Sequence, residues 1–353
     1  MVTLGDVAAA AGTSTTTVSR VLNGCGDSHR ISARTQQAVT TAAEELGYRP
    51  SYHARALKAG RSNTIGLMCN ADILSGHGQG YFGGMIDGLN SLVRKQGYNL
   101  LLTSDDDRHM TLEQGVIFWK EQRVDALITF GYIIERYMAT NTPLAPDTVG
   151  LPLVLIESQW PLEYPIVSMN CASAINDAVG HLADLGHQCI TYLLPTSSQA
   201  DDRRSFFEIA CKARKVEARI VTVDFPNDRQ HDRWETIANR AKAIDQIWSQ
   251  LADCPAVMAY NDHMALGFQL AAHNRGCHVP HDFSLIGFDD LYAQTALPPM
   301  STISHGLQEM GQRAGTIALE MATSPDAVKT WNNRRETVEA VFIPRGSTGP
   351  CPH

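Results

Sequence analysis

From residue 63 onward short apolar runs alternate with helical stretches, and this rhythm limits the architecture more than any other feature of the chain. Eight runs read as strands: Thr64–Cys69, Leu100–Thr103, Ala126–Phe130, Leu153–Ile156, Ile190–Leu194, Ile220–Val223, Ala256–Tyr260 and Ser284–Phe288. Alternation at this length means βα units and a mostly parallel sheet. Eight such strands, with crossings near Trp160, Asp289 and Ser324, fit two doubly wound lobes better than one sheet. Ligands of such folds sit outside the carboxyl ends of the strands, here between the lobes.

The first 62 residues stand apart. Seven Lys or Arg (Arg20, Arg30, Arg34, Arg49, Arg55, Lys58, Arg61) against four acids (Asp6, Asp27, Glu44, Glu45) give +3, leaving -11 for the remainder of a chain whose net charge is -8. A small basic head on an acidic body suggests one module that touches a polyanion and one that does not. At 353 residues and 44% hydrophobic, the chain is long enough for two or three domains. The cysteines (Cys25, Cys69, Cys171, Cys189, Cys211, Cys254, Cys277, Cys351) are scattered, with no Cys-x-x-Cys pair and no histidines at zinc spacing. No metal or cofactor is expected, and the thiols are expected to be reduced. Without a basic leader or an apolar run approaching the ~20 residues of a membrane span, the expected location is cytoplasmic.

Thr3-Leu4-Gly5-Asp6 has the form of a capping box and predicts a helix from Leu4 to Ala11, ended by Gly12. Ser14 is the next N-cap, and Thr15 to Leu22 form a second short helix closed by Asn23-Gly24. Val18, Val21 and Leu22 share one side, expected to pack on Val7 and Ala10, which turns Thr15, Thr16, Ser19 and Arg20 outward. A third helix fits Ser32 to Leu46, with Ala38, Val39, Ala42, Ala43 and Leu46 inward, and the loop before it holds His29 and Arg30 within reach of phosphate. In a helix-turn-helix, the N-terminal residues of the second helix meet base edges in the major groove. Threonine offers a hydroxyl and a methyl there, and arginine bonds a guanine edge through two donors. A solvated helix face is the plain alternative.

Asp6-Val7-Ala8, Ala11-Gly12, Ser14, Thr17-Val18-Ser19-Arg20-Val21 and Asn23-Gly24 together resemble the DNA-binding head of the LacI/GalR (lactose-repressor/galactose-repressor) family of transcriptional regulators. The resemblance continues through Gly60-Arg61-Ser62-Asn63-Thr64-Ile65-Gly66-Leu67, Gln122-Arg123-Val124-Asp125-Ala126, Asn261-Asp262, Ile286-Gly287-Phe288-Asp289-Asp290 and Arg345-Gly346-Ser347. It implies an α/β protein with a three-helix helix-turn-helix domain over residues 1–48, a hinge over 49–61, and a two-lobed periplasmic-binding-protein-like doubly wound domain over 62–346 that binds effector and dimerises. Lobe one is expected at about 62–160 and 291–323, lobe two at about 161–290 and 324–346, and a tail at 347–353.

Ser51 to Lys58 is a helical pattern too short to be stable alone. The resemblance implies that it orders on operator DNA beside its dimer mate. Leu57 then wedges into the minor groove, Ala54 faces the groove floor, and Arg55 and Lys58 contact the backbone. The alternative packs Leu57 on the body. The same resemblance implies a repressor, homodimeric on pseudo-palindromic double-stranded operator DNA and controlled by a small-molecule effector, by default a sugar or sugar phosphate. No leucine heptads follow Arg345, which favours a dimer over a tetramer.

Effector positions carry over one at a time. Asp289 follows a strand and matches the acid that bonds sugar hydroxyls or purine edges, or else it caps a helix. Asn261 bonds effector or caps the helix that begins at Asp262. Arg203 matches the arginine that opens a lobe-two helix. Its surroundings, Arg203-Arg204-Ser205-Phe206-Phe207, replace the family's apolar-small-glycine-aromatic run, so Arg204 is the alternative. Glu157 stands where the family often has aspartate. Asp72, Tyr81, Phe82 and Phe225 match polar and stacking positions, each aromatic being equally a core residue.

Gly78-Gln79-Gly80-Tyr81-Phe82-Gly83 is a literal Gly-x-Gly-x-x-Gly after a strand, the mark of a nicotinamide-dependent oxidoreductase. That fingerprint needs its first glycine in a tight turn at the strand end, and Asn70 to His77 intervene. No catalytic His/Lys/Tyr set accompanies it, so the chain does not read as an enzyme. The glycines could still admit an anionic effector such as a sugar phosphate to helix amides. A solute-binding receptor without DNA activity explains the body but not residues 1–58.

Overall fold

The computed structural model describes residues 2–24, 26–49, 60–70, 79–105, 111–131, 133–134, 150–158, 163–196, 202–224 and 237–352. The chain forms two compact units that divide between Asn63 and Thr64.

The first unit holds α1 (Leu4–Ala10), α2 (Thr15–Leu22) and α3 (Ala33–Glu45). The capping box forms in full: Thr3 Oγ1 accepts from the Asp6 amide at 3.3 Å, and Asp6 Oδ2 accepts from the Thr3 amide at 2.8 Å. Ser14 caps α2 through the Thr17 amide and Ser32 caps α3 through the Thr35 amide, each at 3.2 Å. Val7, Ala8, Val18, Val39, Ala42 and Ala43 make the core. Ala10 and Ala38 are exposed and Leu46 is 38% exposed, contrary to expectation. The inward stripe of α1 is Leu4, Val7, Ala8 and Ala11, an i, i+3, i+4, i+7 set that leaves Ala10 outside, and α3 likewise turns Val39, Ala42 and Ala43 inward.

The second unit is built on two six-stranded sheets. Lobe one contains β1 (Thr64–Asn70), β2 (Asn99–Asp105), β3 (Ala126–Phe130), β4 (Leu153–Ile156), β5 (Ile166–Asn170) and β11 (Arg335–Glu339), ordered β11-β5-β4-β3-β1-β2 and all parallel. Lobe two contains β6 (Cys189–Pro195), β7 (Glu217–Val223), β8 (Ala256–Ala259), β9 (Ser284–Asp289), β10 (Ser301–Ser304) and β12 (Val341–Ile343), ordered β12-β10-β9-β8-β6-β7, with β12 antiparallel to β10. Strand alternation feeds a core on each face. Ile65, Leu67 and Cys69 of β1 join the cluster under α4 (Gln79–Lys95) and α10 (Leu307–Thr323), while Met68 joins the cluster under α5 (Thr111–Lys120). In lobe two, Ile190, Tyr192 and Leu194 face α6 (Ala172–Asp184) and α7 (Asp202–Arg214), and Leu193 faces α8 (Ile237–Gln246) and α9 (Asp262–Asn274).

The lobe crossings differ from those expected near Trp160, Asp289 and Ser324. The chain leaves lobe one after β5 at Cys171, returns after β10 through His305-Gly306 into α10, and crosses again at Ala340 between β11 and β12. A strand is assigned by its ladder, and the ladders of β5, β10 and β11 carry each crossing past the point where the apolar run ended. Gly306 sits on the second crossing at φ 66°, where an added Cβ would lie 2.8 Å from Val338 Cγ1. The expected tail is part of lobe two: Ser347 Oγ accepts from the Ser301 amide at 2.8 Å, and the Gly349 amide donates to Ser284 Oγ at 3.0 Å.

The expectation that all the thiols are reduced is corrected. Cys189 and Cys254 are disulfide-bonded, although 65 residues apart, because β6 and β8 are sheet neighbours while β7 lies on the outer side of β6. As expected, Gly80 and Gly83 form no tight turn at a strand end: they lie inside α4, which starts nine residues after β1 ends, while Gly78 lies outside the described residues. Glycines of this region serve helix packing instead. A Cβ on Gly88 of α4 would approach the Gln308 carbonyl oxygen to 2.0 Å, and one on Gly311 of α10 would approach the Met85 carbonyl oxygen to 2.0 Å.

Candidate functional site

Two sites were expected, and each is built on the ends of regular elements. In the first unit, α1, the Gly12 turn (φ 61°) and α2 make the helix-turn-helix. Val18 is buried, and Thr15, Thr16 and Arg20 on the opposite side of α2 are exposed. Thr15 and Thr16 are its first two residues, so their hydroxyls stand at the end where backbone N–H groups point outward. Ser19 is half-buried and its hydroxyl accepts from Asn23 Nδ2 at 3.4 Å, so it contributes less outward surface than its neighbours. Arg30 is exposed in a left-handed conformation (φ 55°) after a 3-10 turn, Asp27–His29. Ala54, Arg55, Leu57 and Lys58 lie outside the described residues.

The second site is at the carboxyl ends of the lobe-two strands. Asp289 closes β9 at φ 109° and Asp290 follows at φ 57°. Non-glycine residues held in this region cost about 1–3 kcal/mol each and persist only where neighbours hold them. Asp290 ion-pairs with Arg345 at 2.7 Å. Asp289 Oδ1 is 2.6 Å from Nε2 of His305, whose ring packs edge-on to Phe288 at 4.8 Å. Arg203 of α7 reaches the same strand ends. Its guanidinium lies 3.9 Å over the Tyr260 ring and 4.9 Å from the Phe288 ring centroid, and Nη1 donates to the Tyr260 carbonyl oxygen at 3.2 Å. Arg204 turns instead to Glu208 at 3.0 Å, so of the two arginines Arg203 reaches the strand ends. Asn261 caps α9, its Oδ1 accepting from the Met264 amide at 2.9 Å.

Glu157 follows β4 at φ 54°, and its Oε1 accepts from the Met169 amide at 2.9 Å, so the extra length of glutamate ties β4 to β5. Phe82 of α4 packs on the lobe-one core, edge-on to Phe130 at 4.8 Å. Tyr81 belongs to α4, and Asp72 and Phe225 lie outside the described residues.

Two further residues, beyond the expected set, complete the lobe-two cluster. Asp262, first residue of α9, is fully buried: Oδ2 accepts from the Leu291 and Tyr292 amides at 2.8 and 3.1 Å, and Oδ1 from Thr302 Oγ1 at 2.8 Å. One carboxylate thus fixes the backbone directly after Asp289 and Asp290. Burial pushes its carboxyl up to about 6, with the nearby Asp289 charge adding to the rise and the Tyr292, Thr302 and Leu291 hydrogen bonds opposing it. His305 is the other. Its signal was hidden because Ser301–Ser304 is too short and polar to read as a strand, so no strand end was sought there. Asp262 could have been found from its place after the Ala256–Tyr260 run. Among the described residues no group of three or more His, Cys, Asp or Glu could hold a metal ion, and no helix is long and apolar enough to cross a membrane.

Comparison with known proteins agrees with both halves. Residues 3–51 match the lacI family of bacterial regulatory proteins, and residues 179–348 match a periplasmic binding protein-like domain. The chain is 30% identical over 346 residues to the HTH-type transcriptional repressor PurR of Mannheimia succiniciproducens, covering 96% of each. It is 30% identical over 329 residues to the HTH-type transcriptional regulator GalR of Salmonella typhimurium, covering 91% of this chain and 90% of GalR. Its fold is shared with the lac repressor dimer bound to operator and the anti-inducer ONPF, at TM-score 0.75, 23% identity and 99% coverage of each chain. The transcriptional regulator CelR in complex with cellobiose has the same fold, at TM-score 0.63, 22% identity and coverage of 98% of this chain and 100% of CelR. With a helix-turn-helix head and a two-lobed periplasmic binding protein-like body on one chain, the protein belongs to the lacI family of bacterial regulatory proteins, DNA-binding regulators of transcription.

Proposed function

We propose that this chain is a homodimeric repressor acting in the cytoplasm, bound to pseudo-palindromic double-stranded operator DNA and controlled by a small effector, a sugar or sugar phosphate. The observation that carries the reading is the face of α2: Thr15, Thr16 and Arg20 exposed on a Ser14-capped helix whose other side is locked to α1 and α3 by Val18. Threonines at the start of a second helix and an arginine one turn further along the same face suit base edges, with Arg30 suited to phosphate. Ala54, Arg55, Leu57 and Lys58 are proposed as the hinge that enters the minor groove.

Effector recognition is proposed for Arg203, Asn261 and Asp289 from lobe two with Glu157, Phe82, Tyr81, Asp72 and Phe225. Asp289 at the end of β9, with Arg203 over the Tyr260 ring and near the ring of Phe288, suits hydroxyl-rich rings: the carboxylate accepts from hydroxyls, and the aromatics cover apolar ring faces. The cellobiose bound to the structurally similar CelR supports a carbohydrate. Effector binding between the lobes changes their angle and so biases the hinge. The relatives are regulators of transcription, which supports a non-enzymatic reading.

Selection of bound duplexes from a random library, followed by a thermal-shift screen across sugars, sugar phosphates and nucleosides, tests the reading. A palindromic consensus and one stabilising class of compound are expected, since a ligand raises the midpoint by mass action. No enriched sequence, with a stabilising sugar found all the same, would make the chain a solute receptor instead.

A further inference from the structure

We infer that Cys189 and Cys254 form a redox modification site in lobe two, closed by a low-molecular-weight disulfide such as oxidised glutathione. Cys189 opens β6 and Cys254 stands two residues before β8, strands joined in register from Thr191 and Val257. Pairing of the strands brings the two Cα atoms to 5.6 Å, inside the span that a disulfide bridges without backbone movement. The same sheet edge is fastened independently of the sulfurs. Arg219 of β7 ion-pairs with Glu217, the register partner of Cys189, and with Asp253, the neighbour of Cys254. The bond therefore opens and closes on a frame that stays in place.

The other described cysteines are built differently. Cys69, Cys171 and Cys211 are buried, Cys277 and Cys351 are half-buried, and none of the five is disulfide-bonded. Burial pushes the Cys69 thiol up to about 11 and the Cys211 thiol up to about 12, so both stay protonated and unreactive. Cys189 is half-buried and Cys254 fully buried, which orders the exchange. The Cys189 thiolate attacks one sulfur of oxidised glutathione and releases one glutathione thiolate. The Cys254 thiolate then attacks the Cys189 sulfur of the mixed disulfide and expels the second. The pair loses two electrons and two protons, and the glutathione disulfide gains them. The structure shows the closed, oxidised form, and a reducing compartment returns the pair to the dithiol. The bond lies at the amino ends of the strands, away from Arg203 and Asp289, so it sets the firmness of lobe two without altering those side chains.

The full chain, equilibrated with excess reduced or oxidised glutathione, is alkylated with N-ethylmaleimide in denaturant and digested without reduction. Expected are a Cys189–Cys254 cross-linked peptide and two fewer alkylated thiols in the oxidised sample, with a thermal midpoint higher by roughly 5–15 °C. Cys189→Ser removes the midpoint difference; it is the more tolerant of the two sites and serves if Cys254→Ser does not fold. Equal alkylation of both cysteines in the two buffers, or an unchanged wild-type midpoint, overturns the inference.

Discussion

Replacing Asp262 separates what its shape contributes from what its charge costs. Its carboxylate accepts from the Leu291 amide, the Tyr292 amide and the Thr302 hydroxyl in a fully buried site. Asp262→Ala leaves these three donors without an acceptor, at about 1–3 kcal/mol each, so a loss of roughly 3–9 kcal/mol is expected. It also releases the backbone that follows the left-handed pair Asp289 and Asp290. Asp262→Asn is the isosteric control. Its carbonyl oxygen takes both amides and its amide group donates to Thr302 Oγ1, whose hydroxyl rotates, so its cost near neutral pH is expected within about 1 kcal/mol. The pH dependence follows from burial, which raises the carboxyl from its ordinary 3.8 to about 6. A folded-state value above the unfolded one means that the native chain holds the proton more tightly. Its contribution is full below about pH 4 and is lost as pH climbs through about 6, a change of roughly 3 kcal/mol. Urea unfolding of wild type and both variants between pH 4 and 7.5 measures this. Wild-type stability should fall relative to Asp262→Asn across that window. A difference that is flat with pH, or an Asp262→Ala chain within about 1 kcal/mol of wild type, would refute the reasoning.

Other perturbations test the packing and the capping. Gly311→Ala drives a Cβ to 2.0 Å from the Met85 carbonyl oxygen, so α4 and α10 must separate, and thermal unfolding should show a loss of about 1–3 kcal/mol or more. A variant of wild-type stability would mean that the helices are not so closely seated. Ser14→Ala removes the cap on the Thr17 amide and should cost the head about 1 kcal/mol, read as faster hydrogen exchange through α2 with the body unchanged.

What could be read in advance follows physical scale. The capping residues Thr3, Ser14 and Ser32 act within one helical turn, and each forms its expected bond. The apolar interiors of β1, β3, β4, β6 and β8 are buried on both faces and announce themselves as continuous runs. By contrast, Ile166–Asn170, Ser301–Ser304 and Arg335–Glu339 mix polar with apolar residues and Val341–Ile343 is only three residues long, and their strand character comes from neighbours distant in sequence. Missing them displaced the lobe crossings and hid His305. The Cys189–Cys254 pair was invisible for the same reason, since only the β6–β8 ladder brings the two together. Asp289 was legible as a strand-end acid, but its partner His305 arrives from the following strand.

Operator binding by wild type and Arg20→Ala, measured by fluorescence anisotropy on the duplex enriched by selection and across a salt titration, tests the central claim most directly. The account predicts sequence-specific affinity that falls linearly in log–log form as salt rises, and a loss of about 1–3 kcal/mol in Arg20→Ala with sugar-induced thermal stabilisation intact. Binding without sequence preference, or equal affinity of the two proteins for the selected duplex, would contradict it.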